Sequence, residues 1–216
     1  EILMTRTPVF LLGWAGNIRE AGVFALGFNL ALLIALPRVA VNTFFSPTIS
    51  ALHARDDRAG MQSLFAKATI LSLGGAAALA VPLLVLTGPL LRLFGGEFVA
   101  AVPIAQILTI GQVFAAATGP QQSLLTMTGH ERSAAVMMIA SAGLNIASCV
   151  VGIAMYGAIG AAIATAATHV VWSVAMAVYI YTRLNLPAGL IHALAEFRRS
   201  AWTRQRQPRW PVSAGD

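Results

Sequence analysis

Residues 133–182, SAAVMMIASAGLNIASCVVGIAMYGAIGAAIATAATHVVWSVAMAVYIYT, form a run of fifty positions without Asp, Glu, Lys or Arg, in which His169 is the one histidine. A bilayer's hydrocarbon core is about 30 Å thick and a helix rises about 1.5 Å per residue, so roughly 20 apolar residues cross it. Fifty are too many for one crossing. Met155-Tyr156-Gly157-Ala158-Ile159-Gly160 places turn residues near the middle of the run, and the reading is two helices, over 131–155 and 158–182, joined by a tight turn.

The rest of the chain has the same pattern. Residues 98–129 give 32 positions without a charged residue or histidine, and residues 68–91 give 24. Residues 21–54 carry only Arg38 and His53. With the short apolar start at 8–18 included, the chain reads as all-α: a polytopic membrane helical bundle of about six transmembrane helices, over 3–17, 21–53, 61–87, 99–127, 131–155 and 158–182. Residues 88–98 read as a short amphipathic connection whose turns are set by Gly88-Pro89 and Gly95-Gly96. Strand alternation is nowhere visible, which disfavours an outer-membrane barrel. Composition agrees: the 216 residues are 57% hydrophobic and 10% charged, against roughly 45–50% and about 25% in soluble domains.

A net charge of +6 would point to nucleic acid in a soluble protein, but in a polytopic chain basic residues first mark topology, and no nucleic-acid partner is expected. Eleven fall on one side: Arg6, Arg55, Arg58, Lys67, Arg132, Arg183, Arg198, Arg199, Arg204, Arg206 and Arg209. Arg19 and Arg92 fall on the other, and Arg38 lies inside a span. The positive-inside rule therefore places the 53–62 and 128–133 loops and the C-terminal tail in the cytoplasm. Residues 187–203 read either as an interfacial amphipathic helix lying on anionic membrane lipids or as a frayed polar tail. Residues 204–216 read as a disordered cytoplasmic tail. The chain opens on Glu1 and its first apolar run is about half a span, so the expectation is a truncated first helix and a missing N-terminal part. Cys149 stands alone, which leaves no intrachain disulfide and makes packing its expected role.

Five prolines, Pro37, Pro47, Pro82, Pro103 and Pro120, fall within predicted spans. Each removes a backbone donor, so helix two, 33 residues long as read, is expected to bend at Pro37 and Pro47. Backbone carbonyls freed at membrane depth are tolerated only against protein or a wet cavity. Gly74-Gly75 offers a surface for close helix approach, as do the small residues from Gly157 to Ala167. Ser141, Asn145, Ser148 and Gly152 share one face of helix five.

Several segments in order resemble the polysaccharide-exporter and oligosaccharide-flippase branch of the multidrug/oligosaccharidyl-lipid/polysaccharide exporter superfamily. They are Glu20-Ala21-Gly22-Val23-Phe24-Ala25-Leu26, Pro47-Thr48-Ile49-Ser50-Ala51-Leu52 followed by Asp56-Asp57, Leu91-Arg92-Leu93-Phe94-Gly95-Gly96-Glu97-Phe98, Gln122-Ser123-Leu124-Leu125 with Thr128-Gly129-His130-Glu131, Leu144-Asn145, and Tyr156-Gly157-Ala158-Ile159-Gly160-Ala161-Ala162-Ile163-Ala164-Thr165. The resemblance covers residues 20–182 and corresponds to the family's C-terminal half. It implies that residues 1–186 form the C-terminal lobe of a MATE-like two-lobe transporter in the bacterial cytoplasmic (inner) membrane. Its partners would be the N-terminal lobe and a polyprenyl-diphosphate-linked oligosaccharide moved from the inner to the outer leaflet. No enzyme activity, cofactor or metal is expected.

Arg38 lies 17 residues after Ala21 and 15 before His53, too deep to snorkel easily, and an arginine at the bilayer centre costs about 2.5–3.5 kcal/mol on insertion scales. It is expected to face a cavity or a partner. With a diphosphate lipid as substrate, its guanidinium suits bidentate phosphate contact and Asn42, one turn on, assists; the alternatives are pairing with an acidic residue of the other lobe or with carbonyls freed by the prolines. Related flippases carry a cavity arginine nearer the start of this helix, where this chain has Phe28 and Asn29, so that role does not carry over by position. Gln112 on helix four and Asn145 on helix five, with Gln106, Gln121 and Gln122, offer amides to sugar hydroxyls or to neighbouring helices. His169 reads as a proton-coupling group or as a packing histidine. Past Glu131 at the head of helix five, no Asp or Glu lies within a predicted span. Competing readings are a cation-coupled multidrug antiporter, a membrane glycosyltransferase or polymerase, which would need positioned carboxylates or a large outer loop, and a non-transporting scaffold fragment.

Overall fold

The computed structural model describes residues 2–15 and 17–184, and among them no strand occurs. The expected features at 187–203 and 204–216 lie outside the described residues. The first helix, α1 (Ile2–Trp14), precedes α2 (Ile18–Leu32), which passes through a 3₁₀ turn at Leu33–Ala35 into α3 (Leu36–Ala54). That turn sits at the expected bend. The Pro37 ring would strike the Leu33 carbonyl of a regular helix, and the backbone tightens just upstream of it. At Pro47 the helix continues. Gly75 of the next helix receives the kinked segment: a Cβ there would lie 2.6 Å from Pro37 Cβ. Gly74 beside it faces open space.

The helix α4 (Arg58–Phe94) opens on an Asp57 cap whose carboxylate accepts the Gly60 N–H at 2.8 Å, satisfying one of the unpaired donors of the first turn. It corrects the expected connection over 88–98: Gly88 and Pro89 lie within α4, which ends where Gly95 adopts φ 133. An internal proline removes one hydrogen bond, and an apolar helix packed among neighbours tolerates that loss. A 3₁₀ turn, Gly96–Ala100, leads to α5 (Ala101–Ala117) and α6 (Gln121–Met127). Pro103 falls in the first turn of α5, where its missing N–H would have had no helical partner.

The last element, α7 (Glu131–Leu184), is a hairpin folded at Gly157, with φ 57 and ψ −137. Tyr179 donates its hydroxyl to Ser133 Oγ at 2.7 Å, although the two are 46 residues apart; in a straight helix they would be about 69 Å apart. Cys149 Sγ lies 3.7 Å from Thr165 Oγ1, and a Cβ at Gly152 would stand 2.6 Å from the Gly160 carbonyl. The three pairs share one register about the turn. Ser141, Asn145 and Cys149 are buried on the expected face.

Four helices among the described residues are long and apolar enough to cross a membrane: Ile18–Ala54, Arg58–Leu93, Phe98–Ala117 and Glu131–Leu184. The expected count of about six is not reached by that measure, because α1 has 13 residues and the arms of α7 join in one helix. Large apolar side chains stand exposed along the bundle, including Phe44, Leu93, Ile139, Val151 and Tyr181. Such a surface is compatible with a multi-pass membrane protein and would be a liability in water.

Inside, three apolar clusters form. One holds Phe45, Ile49, Met61, Phe65, Leu124, Met176 and Ile180. A second holds Leu12, Phe24, Phe28, Ile104, Leu108 and Ala161. A smaller third holds Ile34, Ala76, Ala80 and Ala116.

Candidate functional site

Between these clusters the buried side chains turn polar. On α4, Thr69 and Ser72 fall between Phe65 and Ala76; on α5, Thr109 and Gln112 between Leu108 and Ala116; on the second arm of α7, Thr165, Thr168 and Ser173 between Ala162 and Met176. Arg38 and Asn42 occupy the matching stretch of α3, between Ile34 and Phe45. Each of these helices therefore carries buried or half-buried polar side chains between its apolar contacts: on α3 and α4 between the first and third clusters, on α5 between the second and third, and on α7 between the first and second. Several hydroxyls return their protons to their own helix, as Thr69 to the Phe65 carbonyl at 2.8 Å and Thr165 to Ala161 at 2.8 Å. This is the local way of satisfying a buried threonine.

A cavity of about 100 Å³ is lined by Arg38, Asn42, Gln121, Gln122, Trp172 and Ser173 and by the backbone of residues 118–120. At about 30 Å³ per liquid water, it has room for about three waters or one compact polar group. The spacing of four puts Arg38 and Asn42 on one side of α3. Their neighbours come from the α5–α6 break, where Gly119 takes φ 79 and the Gln121 N–H turns back to the Gly119 carbonyl at 2.9 Å. Pro120, at φ −81 and ψ 56, sits at the centre of that tight turn. A Cβ at Gly119 would run into Thr69 Oγ1, so the glycine lets the break nest against α4. The interrupted segment, residues 118–120, lines the polar cavity.

Two residues of the lining carry amide atoms, Asn42 Oδ1 and Gln121 Nε2, that are buried without a hydrogen-bond partner, as are Ser72 Oγ and Thr109 Oγ1 elsewhere in the bundle. Each unpaired buried group costs about 1–3 kcal/mol.

The expected site residues thus divide. Arg38 and Asn42 meet in the cavity. Gln112 is buried on α5, next to Gly111, whose Cβ position would lie 3.2 Å from Ala166 on α7, and it does not line the cavity. Asn145 is buried within the α7 hairpin, its Oδ1 3.9 Å from Cys149 Sγ. His169 is half-buried on the second arm of α7, one turn from Ser173. Gln121 is the residue that sequence reasoning did not single out from the other glutamines; its position directly after Gly119-Pro120 is the signal that sets it apart.

A second polar feature sits at the other end of the hairpin. The Ala158 N–H donates to Glu20 Oε2 at 2.9 Å, so the carboxylate of α2 caps the second arm of α7 where its positive dipole end begins.

Fold and cavity define, over the described residues, a helical bundle with spanning-length apolar helices and a polar cavity beside Arg38. The chain matches no family model, no curated protein and no solved structure.

Proposed function

We propose that the chain is one lobe of a transporter that moves a polyprenyl-diphosphate-linked oligosaccharide across the bacterial cytoplasmic membrane by alternating access. The observation that carries this reading is the placing of Arg38 and Asn42 together in a polar cavity of an apolar bundle. A guanidinium is suited to diphosphate oxygens, and substrate sites of transporters lie near the bilayer midplane at interrupted helices. The breaks at Leu33–Ala35 and at Gly119-Pro120 are interruptions of that kind. Among the described residues no Asp or Glu lines the cavity, which favours an anionic substrate over a cationic drug. In this reading α1, α2 with α3, α4, α5 with α6, and the two arms of α7 make six crossings, and a second lobe closes the cavity from the other side. The basic ends at Arg55, Arg58 and Arg132 face the cytoplasm by the positive-inside rule.

The test reconstitutes the full-length protein into liposomes with a fluorescent polyprenyl-diphosphate oligosaccharide and compares leaflet transfer by the native protein and by Arg38→Ala at matched incorporation. Loss of transfer in a folded, inserted variant supports the reading. Equal transfer reduces Arg38 to a structural partner, and absence of transfer by both proteins, across several sugars, redirects the assignment to an antiporter or scaffold.

A further inference from the structure

Lys67 is the only lysine in the sequence, and it faces outward: its side chain is exposed while Phe65, Ala66 and Ala68 around it on α4 are buried. Charged side chains within apolar spans usually face the bundle interior or a wet cavity, because hydrocarbon does not solvate them. Lys67 does neither, so its depth matters. The 37 residues of α4 reach about 55 Å, against about 30 Å of hydrocarbon. Shared equally between the two ends, the excess puts the hydrocarbon boundary about 12 Å in from Arg58, and Lys67, nine residues along, lies about 13 Å in. Lys67 thus sits at the hydrocarbon boundary, from which its flexible stem lets the ammonium snorkel to the level of lipid phosphates.

Beside it runs an apolar groove of about 320 Å³ between α3 and α4, lined by Val41, Phe44, Thr48, Leu64 and Leu71, with Lys67 among the lining residues. Phe44 is 77% and Leu71 66% exposed, so the groove opens to the outside of the bundle. It extends from Thr48 and Leu64, near the α3–α4 loop, to Val41 and Leu71 deeper in. The local charge is net positive, with Arg55, Arg58 and Lys67 against Asp56 and Asp57. Asp57 is committed to capping Gly60, and Asp56 lies 3.8 Å from Arg58.

We infer that this groove binds an anionic phospholipid, with one acyl chain along Phe44, Val41 and Leu71 and the phosphate against Lys67. The argument is independent of the transported substrate, since the groove is separate from the Arg38 cavity. A phosphatidylglycerol headgroup brings no cation of its own, whereas phosphatidylcholine carries one that competes with Lys67.

The test is native mass spectrometry of the full-length protein titrated with phosphatidylglycerol or phosphatidylcholine. The expected result is preferential retention of phosphatidylglycerol, reduced roughly fivefold by Lys67→Gln and kept by Lys67→Arg. Ala40→Phe, which fills the groove from an exposed position, should reduce retention of both lipids. An unchanged preference in Lys67→Gln, or unchanged retention in Ala40→Phe, overturns the inference. A second measurement uses the fluorescence of a Phe44→Trp variant. Quenching by brominated phosphatidylglycerol, beyond that of the native tryptophans, supports lipid in the groove, and no added quenching in a variant of native helicity means that protein covers it, which also overturns the inference.

Discussion

Glu20 and Ala158, separated by 138 residues, are joined by a 2.9 Å hydrogen bond from the Ala158 amide to the Glu20 carboxylate. The bond ties the first turn of α2 to the fold of the α7 hairpin. It also explains the backbone at the turn, since a Cβ on Gly157 would stand 2.6 Å from Glu20 Oε2. Sequence position alone gives no hint of this pairing.

Removing that carboxylate with Glu20→Ala is expected to destabilise the bundle by about 1.5–3 kcal/mol, the range for a hydrogen bond to a charged group. Glu20→Gln, which keeps an acceptor, should lose less. Thermal unfolding in detergent, tracked by circular dichroism, orders the three proteins; equal midpoints would show that the cap carries no stability.

Gly157→Ala should be destabilising by about 1–3 kcal/mol because φ 57 with ψ −137 belongs to a region that residues with a Cβ avoid. Part of that loss is collision with Glu20. In the double variant Glu20→Ala/Gly157→Ala the effects should sum to less than the two singles, by about 0.5 kcal/mol or more. Strict additivity would mean that the strain is purely backbone.

Gln121→Met separates folding from function. It removes a buried donor that has no protein partner while keeping side-chain length, so stability should stay within about 0.5 kcal/mol of native or rise. Leaflet transfer should fall. A marked loss of stability would assign Gln121 a structural role instead.

Cys149, fully buried between the arms of α7, should react slowly with a membrane-permeant maleimide. Gly160→Ala forces a methyl group into the Gly152 backbone and must spread the arms. Labelling should accelerate about tenfold, the equivalent of roughly 1.4 kcal/mol in the opening equilibrium. Unchanged labelling would mean that the cysteine is reached by another route.

Helix content and the three main breaks are legible in the sequence because they rest on local chemistry: apolar runs, the Pro37 ring and the positive-φ glycines Gly119 and Gly157. The end of α4 is not, because Gly88-Pro89 reads as a turn when only neighbouring residues are weighed, and packing keeps it helical. Arg38 and Asn42 can be paired from their spacing. Gln112 and Asn145 cannot be separated from the cavity in this way, because which amides reach it depends on the rotation of α5 and of α7 about their axes, and one-residue patterns do not fix that rotation.

The fold at Gly157 also settles a question of parity. Because the two arms of α7 run in opposite directions, Leu184 returns to the face from which Glu131 starts, whichever way the bundle sits in a bilayer. In the proposed reading, where each arm crosses the bilayer, deleting or duplicating the whole hairpin leaves the exit side of the chain unchanged, whereas losing one arm reverses it. The hairpin is then the unit by which this chain can be lengthened or shortened without turning any downstream segment inside out.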